Sequence, residues 1–153
     1  MDNGGWSGDT RALMLSTVAV GVDGSRTAAD AVKMAVELAR RFEAELVLLS
    51  AYRRGDAHEG HDENPERDWA TSGSARQREV LARTEDDLRQ HGVRCRTLIG
   101  EGDAGDVLVR LAEDCSADIL VVGSKGMERR VLGSVPNSVT HKAGCSVLVV
   151  KTT

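Results

Sequence analysis

From residue 17 onward, short apolar runs alternate with longer amphipathic segments. The apolar runs lie at residues 17–22, 44–52, 94–99, 117–123 and 146–151. Short runs of this kind, bounded by glycine or polar residues, are typical of buried β-strands. Each run therefore predicts one strand, and the segments between the runs are candidates for helices.

The segments between the runs carry apolar residues at helical spacing. The first helix is predicted to begin after Ser25, a residue type that caps helix N-termini well. A second helix stops near Gly92, a third begins after Asp103, and a short fourth helix spans about residues 135–143. The polar segment 53–73 shows no periodicity and separates the second strand from the second helix.

This order of elements, β-α-β-α-β-α-β-α-β, predicts the architecture. Apolar strands separated by helices indicate a parallel sheet covered by helices on both faces. Because β-α-β crossovers are right-handed, the simplest arrangement is one doubly wound five-stranded α/β domain. We assign that domain to residues 14–153 and expect the polar, glycine-rich residues 1–13 to form a flexible tail.

Composition narrows the classes of function. A chain of 153 residues is long enough for one domain with a real core, and its aromatic content of 3% predicts a core of aliphatic side chains. The net charge of -4 argues against a nucleic-acid-binding protein, which usually has a basic face. Cys95, Cys115 and Cys145 form no C-x-x-C pair, which favours buried thiols in a reducing cytosol over a disulfide framework.

No membrane or secretory segment is expected. The apolar stretch 12–22 is too short to span a bilayer and lacks the small-residue pattern of a signal-peptide cleavage site. We therefore expect a cytoplasmic protein that contacts neither membrane nor nucleic acid.

The segment "VVGSKGMERRVLGSVPNSV", residues 121–139, contains two glycine clusters, each beside a serine. In a doubly wound sheet, ligands bind beyond the carboxyl ends of the strands, where the winding reverses. If the fourth strand neighbours the first, Gly123 lies beside Asp23 at that crevice. Glycines let a backbone approach a phosphate closely, and a helix that begins near Ser134 attracts anions.

Two interpretations of this segment remain open. In the first, it is a phosphate cradle in which Ser124 and Ser134 add hydroxyl donors and Lys125 adds a positive charge. In the second, Gly123 ends a strand, Gly126 closes an ordinary turn and Ser134 caps a helix. Two common phosphate motifs, G-x-x-x-x-G-K-[ST] and G-x-G-x-x-G after the first strand, are absent.

Four motifs together resemble the universal stress protein family: "VGVDGS", "VVGSKGM", "LGSVPNSV" and "CSVLVVK". The resemblance extends over residues 17–151 and implies the strand order 3-2-1-4-5. It also implies that some members bind ATP or AMP, with or without Mg²⁺, through a G-x2-G-x9-G-[ST] motif. Mycobacterial members with a similar "LGSVP" prefer cyclic AMP.

The resemblance also implies roles for residues of this chain. Asp23 would lie at the adenine and ribose end, the backbone of Ala51 would contact the adenine edge, and Gly123 would approach the ribose. The residues that would hold the phosphates are Gly126, Gly133, Ser134 and Val135. Here only six residues separate Gly126 from Gly133, against nine in the family motif, so the turn over the terminal phosphates is shorter by three.

The leading hypothesis is a stress-response or signalling module that binds an adenine nucleotide and is not an enzyme. No Ser-His-Asp or Cys-His arrangement can be assembled, and His58 and His61 lack the helical spacing of an H-E-x-x-H zinc site. The resemblance implies a homodimer joined through the last strand. Two alternatives are a slow ATPase or self-phosphorylating protein that uses Ser124 or Ser134, and a dimeric scaffold without nucleotide.

Overall fold

The computed structural model describes residues 14–53, 73–124 and 132–151. In these residues strands and helices alternate, as the hydrophobic pattern predicts. The strands are β1 (Thr17–Gly21), β2 (Glu45–Tyr52), β3 (Arg96–Glu101), β4 (Ile119–Gly123) and β5 (Ser146–Val150). The helices are α1 (Arg26–Phe42), α2 (Gly73–Gln90), α3 (Ala104–Asp114) and α4 (Ser134–Lys142).

The five strands form one parallel sheet in the order β3-β2-β1-β4-β5. β1 lies at the centre, where Val18 pairs with Leu46 of β2 on one side and with Ile119 of β4 on the other. The chain winds toward β3 first and toward β5 afterwards, so the winding reverses between β1 and β4. The predicted fold class and strand order are confirmed.

The third strand begins two residues later than the pattern predicts, at Arg96 rather than Arg94. The reason lies in the end of α2. Gly92 adopts a positive φ of 76°, and the N–H of Val93 still donates to the carbonyl of Leu88 at 2.9 Å. The chain is therefore still part of the helix terminus at Val93 and enters the sheet only afterwards.

The core is aliphatic and lies on both faces of the sheet. Alternate residues of each strand face opposite sides, so one face of β1 and β2 packs against α1 and α2 and the other against α3 and α4. Buried side chains on the first face include Val18, Val20, Leu46, Leu48, Ala35 and Leu81. Buried side chains on the second face include Ala19, Val47, Leu49, Val107, Leu111 and Val139.

Each described helix follows a strand that ends at the carboxyl edge of the sheet, and α1, α3 and α4 lead from that edge into the lining of the site described below. The predicted caps are present: the Ser25 hydroxyl accepts from the N–H of Ala28, and the Asp103 carboxylate accepts from the N–H of Asp106. α4 begins after Gly133, which provides no side-chain cap. Among the described helices, none combines the length and the apolar composition that a membrane span requires.

Candidate functional site

A cavity of about 410 Å³ opens at the carboxyl edge of the sheet, between the ends of β1, β2 and β4. This volume lies within the ~300–1,000 Å³ that is usual for small-molecule sites. The cavity is at the reversal of winding, which is where doubly wound sheets bind ligands. Its position is therefore the one that the fold prediction implies.

Most of the residues that the sequence singles out meet in this cavity. The predicted site residues that line it are Asp23, Ala51, Gly123, Gly133, Ser134 and Val135. Ser124 is not part of the described lining: it is 2% exposed, and its N–H donates to the carbonyl of Val150 at 3.0 Å. Lys125 and Gly126 lie outside the described residues, as do His58 and His61.

The loop after β1 forms one wall through a turn centred on Asp23. Its Oδ1 accepts from the N–H of Ser25 at 2.8 Å, and Gly24 takes a positive φ of 82° in the same turn. The Ser25 hydroxyl lies 3.1 Å from the hydroxyl of Thr27. Asp23 therefore orders the start of α1 besides facing the cavity.

Sequence reasoning missed the first turn of α1 as a part of the site. Ser25, Thr27 and Ala28 all line the cavity. The signal was available for Ser25, which is recognisable as a helix cap directly beyond a core strand. It was not available for Thr27 and Ala28, because their exposure to the cavity depends on how α1 packs beside β4.

Gly123 has a structural reason to be glycine. A Cβ built on it would lie 2.6 Å from the carbonyl oxygen of Thr27 and 2.8 Å from the carbonyl carbon. The end of β4 thus touches the first turn of α1 directly, backbone against backbone. This contact explains the glycine through packing, in addition to the ribose approach that the family resemblance implies.

The start of α4 forms the end of the cavity near β4. Gly133, Ser134, Val135 and Pro136 line this end. The first N–H groups of a helix have no intrahelical acceptor, and the helix dipole adds partial positive charge there. This end of the cavity therefore suits an anion.

The opposite end, near β2, is apolar. Ala51 of β2 and Ala104 of α3 contribute to its walls, together with Leu108 of α3, whose side chain also packs against Gly21 of β1. Ala51 of β2 and Gly123 of β4 lie on opposite sides of β1. Ala104 and Leu108 were also missed, because a helical pattern shows that a leucine is buried without showing which cavity it faces.

Two ion pairs lie at the start of α3, beside this apolar end. The guanidinium of Arg53 pairs with Asp103, and Lys142 Nζ lies 2.6 Å from Asp106 Oδ1. The pKa of Asp103 is lowered first by the hydrogen bond from the Asp106 N–H and further by Arg53 and Lys142. The pKa of Lys142 is raised first by its hydrogen bond to Asp106 and also by the charge of Asp103.

The three cysteine thiols and the possible metal ligands remain to be considered. Burial raises the pKa of Cys95, Cys115 and Cys145, so these thiols are protonated at neutral pH. Within residues 14–53, 73–124 and 132–151, no group of three histidine, cysteine or acidic side chains could hold a metal ion.

Comparison with known proteins gives a consistent result. A family model described as the universal stress protein family matches residues 14–151. The universal stress protein Rv1636 of Mycobacterium tuberculosis H37Rv is 36% identical over 145 residues, which is 90% of this chain and 97% of the relative.

Two solved structures are similar in sequence and fold. A universal stress protein crystallised in complex with cAMP shares 31% identity with a TM-score of 0.70, covering 92% of this chain and 99% of that one. UspA from Lactobacillus plantarum shares 25% identity with a TM-score of 0.64, covering 89% and 97%. Because the family model spans almost the whole chain and the relatives match over nearly their full length, the chain belongs to the universal stress protein family.

Proposed function

We propose that the cavity binds an adenine nucleotide and that the protein is a stress-response or signalling module acting through partners. The observation that carries this proposal is that apolar walls and a helix N-terminus line one cavity. A planar base suits the apolar end, and a phosphate suits the helix N-terminus. The cAMP complex of the relative at 31% identity supports the same ligand class.

Each part of the nucleotide has a partner in this proposal. The base lies between Ala51 and Leu108, with its edge against the backbone of Ala51. The ribose lies beside Gly123, and its hydroxyls donate to the carboxylate of Asp23.

The phosphate nearest the ribose accepts from the N–H groups at residues 133–135 and from the Ser134 hydroxyl. Lys125 and Gly126 belong to the phosphate side by family resemblance.

We further propose that AMP or cAMP is preferred to ATP, that Mg²⁺ is not required, and that hydrolysis is negligible. Asp23 is the one titratable side chain among the described residues of the lining, and it already orders the start of α1. A self-phosphorylating protein is less well supported at Ser124, because that residue is 2% exposed.

The proposal includes a homodimer joined through β5 and a cytoplasmic location. β5 lies at the end of the described sheet, and its apolar residues 147–150 are only partly covered. Edge strands of this kind pair readily with another chain. All three cysteines are free thiols, as expected in a reducing compartment.

Mass spectrometry of the gently purified protein, together with calorimetric titration with AMP, tests the nucleotide proposal. We expect a co-purifying adenine nucleotide, or saturable AMP binding after it is removed. Phosphoserine in place of bound nucleotide would favour the self-phosphorylating alternative. A protein with neither phosphoserine nor affinity for AMP, cAMP or ATP would be a scaffold.

A further inference from the structure

The start of α3 is held from two sides by charged residues. On one side, Arg53 follows β2 and pairs with Asp103, the N-cap of α3. On the other, Lys142 in the last turn of α4 pairs with Asp106 in the first turn of α3. The two pairs also influence each other, since the charge of Lys142 contributes to the lowered pKa of Asp103.

The same turns of α3 form the wall of the apolar end of the cavity. Ala104 follows the cap Asp103 directly, Leu108 lies one turn further on, and both face the cavity. Ala51 lies two residues before Arg53 and faces the same cavity. The Arg53–Asp103 pair therefore joins the two walls between which a base would lie.

Close packing fixes the other side of this turn. A Cβ built on Gly105 would lie 2.5 Å from the hydroxyl oxygen of Ser138, so α3 and α4 are in direct contact there. Ser138 is on the same helix as Lys142 and one turn after the residues proposed to hold phosphate. The position of the α3 start is thus tied both to β2 and to the phosphate-binding helix.

We infer that Arg53, Asp103, Asp106 and Lys142, here named the α3 clasp, are positioning residues that set the width of the apolar end of the cavity. This inference rests on the proposed nucleotide binding and adds a regulation to it. Weakening of the clasp lets the start of α3 move relative to β2, which shifts Ala104 and Leu108 in the cavity wall and lowers the affinity for a base.

The clasp responds to ionic strength because its side chains are accessible to solvent. The four side chains are between 51% and 61% exposed. At such positions added salt screens ion pairs strongly, with a Debye length of about 8 Å at physiological ionic strength. Exposed pairs are also individually weak, so the clasp tunes affinity by a few-fold and does not switch it off.

Adenosine is the probe that isolates this effect. It carries no charge, so the dependence of its affinity on salt cannot come from a phosphate. We expect the adenosine Kd of the full-length protein to rise at high ionic strength. At low ionic strength, Lys142→Met and Arg53→Met should each raise that Kd by about two- to fivefold and reduce its dependence on salt.

A double-mutant cycle separates the pair from its individual members. If Asp106 and Lys142 act as a pair, Asp106→Asn combined with Lys142→Met should bind adenosine no more weakly than Lys142→Met alone. The matched control is Arg41→Met, which breaks an exposed ion pair with Glu37. This pair lies in the last turns of α1, at the amino ends of the strands and away from the cavity. The control should bind adenosine like the unmodified protein and should show a similar unfolding midpoint to Lys142→Met.

Hydrogen exchange in the ligand-free protein provides a second measurement. The amides of residues 104–108 should exchange faster in Lys142→Met than in Arg41→Met. Unchanged exchange there, or adenosine affinity that is the same in the clasp variants as in the control, would overturn the inference. Failure of the unmodified protein to bind either adenosine or AMP would instead contradict the proposed function, and the exchange measurement would still decide whether the clasp holds α3.

Discussion

Among the glycines that the structure describes, Gly123 is the one whose added Cβ would lie closest to backbone atoms rather than to a side chain. In Gly123→Ala the new Cβ meets the carbonyl of Thr27 at 2.6 Å, so the first turn of α1 must shift. Overpacking of this kind typically costs about 1–3 kcal/mol. We expect a lower free energy of unfolding in urea and weaker AMP binding, because Thr27 and Gly123 both line the cavity.

Gly144→Ala is the matched control for this variant. A Cβ at Gly144 meets no atom closer than Glu113 Oε1, at 3.9 Å. This variant should therefore keep both its stability and its AMP affinity. If Gly123→Ala behaved in the same way as Gly144→Ala, the close approach of β4 to α1 would be wrong.

Asp23 has two proposed roles that substitutions can separate. Asp23→Asn keeps an oxygen to accept from the Ser25 N–H but removes the charge, so folding should be preserved. A hydrogen bond to a charged group contributes roughly 1 kcal/mol more than a neutral one, so AMP affinity should fall about fivefold. Asp23→Ala removes the acceptor as well and should weaken AMP binding further. Equal AMP affinity in all three proteins, measured by calorimetry, would exclude Asp23 from the ligand site.

At the scale of elements, the structure distinguishes two positions in β5 for a test of the homodimer. Val150 accepts from the N–H of Ser124, so its backbone groups point toward β4. The backbone N–H and C=O groups of successive strand residues point to alternate sides. The backbone groups of Leu148 therefore point toward β4, and those of Val149 point away from it. Proline at Val149 removes a donor from the edge alone, whereas proline at Leu148 also removes a bond within the sheet.

We expect Val149→Pro to convert a homodimer into a folded monomer and Leu148→Pro to lose both dimer and stability. Light scattering at micromolar concentration measures the mass, and circular dichroism reports the fold. A monomeric unmodified protein, or a Val149→Pro variant that stays dimeric, would contradict pairing through β5.

The elements also show how far a single sequence determines this fold. Helix caps at Ser25 and Asp103 are local, so they could be predicted and are present. The start of β3 was misplaced because Gly92 and Val93 extend the end of α2 through backbone geometry that a pattern of apolar residues does not encode. The order of the strands came from the family resemblance, since periodicity alone does not determine which strands are neighbours.

The fold of the whole molecule determines which residues line the cavity, and the sequence pattern predicts only some of them. Asp23 and Gly123 could be predicted to meet because Asp23 follows β1, Gly123 ends β4, and these two strands flank the reversal of winding. The contribution of α3 to the apolar end could not be predicted, because Ala104 and Leu108 reach the cavity only through the packing of α3 against β2 and α4. The family resemblance thus indicated the phosphate side and Ala51 on the base side, and the tertiary structure supplied the wall that α3 forms.

The nucleotide preference of the cavity depends on which phosphates find donors. The phosphate nearest the ribose keeps its proposed donors at residues 133–135, which belong to the start of α4. By family resemblance, the terminal phosphates of ATP would be held by the segment between Gly126 and Gly133, which has six residues here instead of nine. Each charge-assisted hydrogen bond contributes roughly 1.5–3 kcal/mol, and a turn shorter by three residues removes one or two such donors.

AMP and cAMP should therefore bind at least as tightly as ATP, with negligible hydrolysis of ATP. Calorimetric titration with the three nucleotides, each with and without Mg²⁺, measures this preference directly. Lys125, Arg129 and Arg130 add positive charge to the shortened part of the sequence, but long side chains, which lose more conformational entropy on binding, replace directed backbone donors only in part. ATP binding more than tenfold tighter than AMP, about 1.4 kcal/mol, would mean that the short turn still closes over a triphosphate.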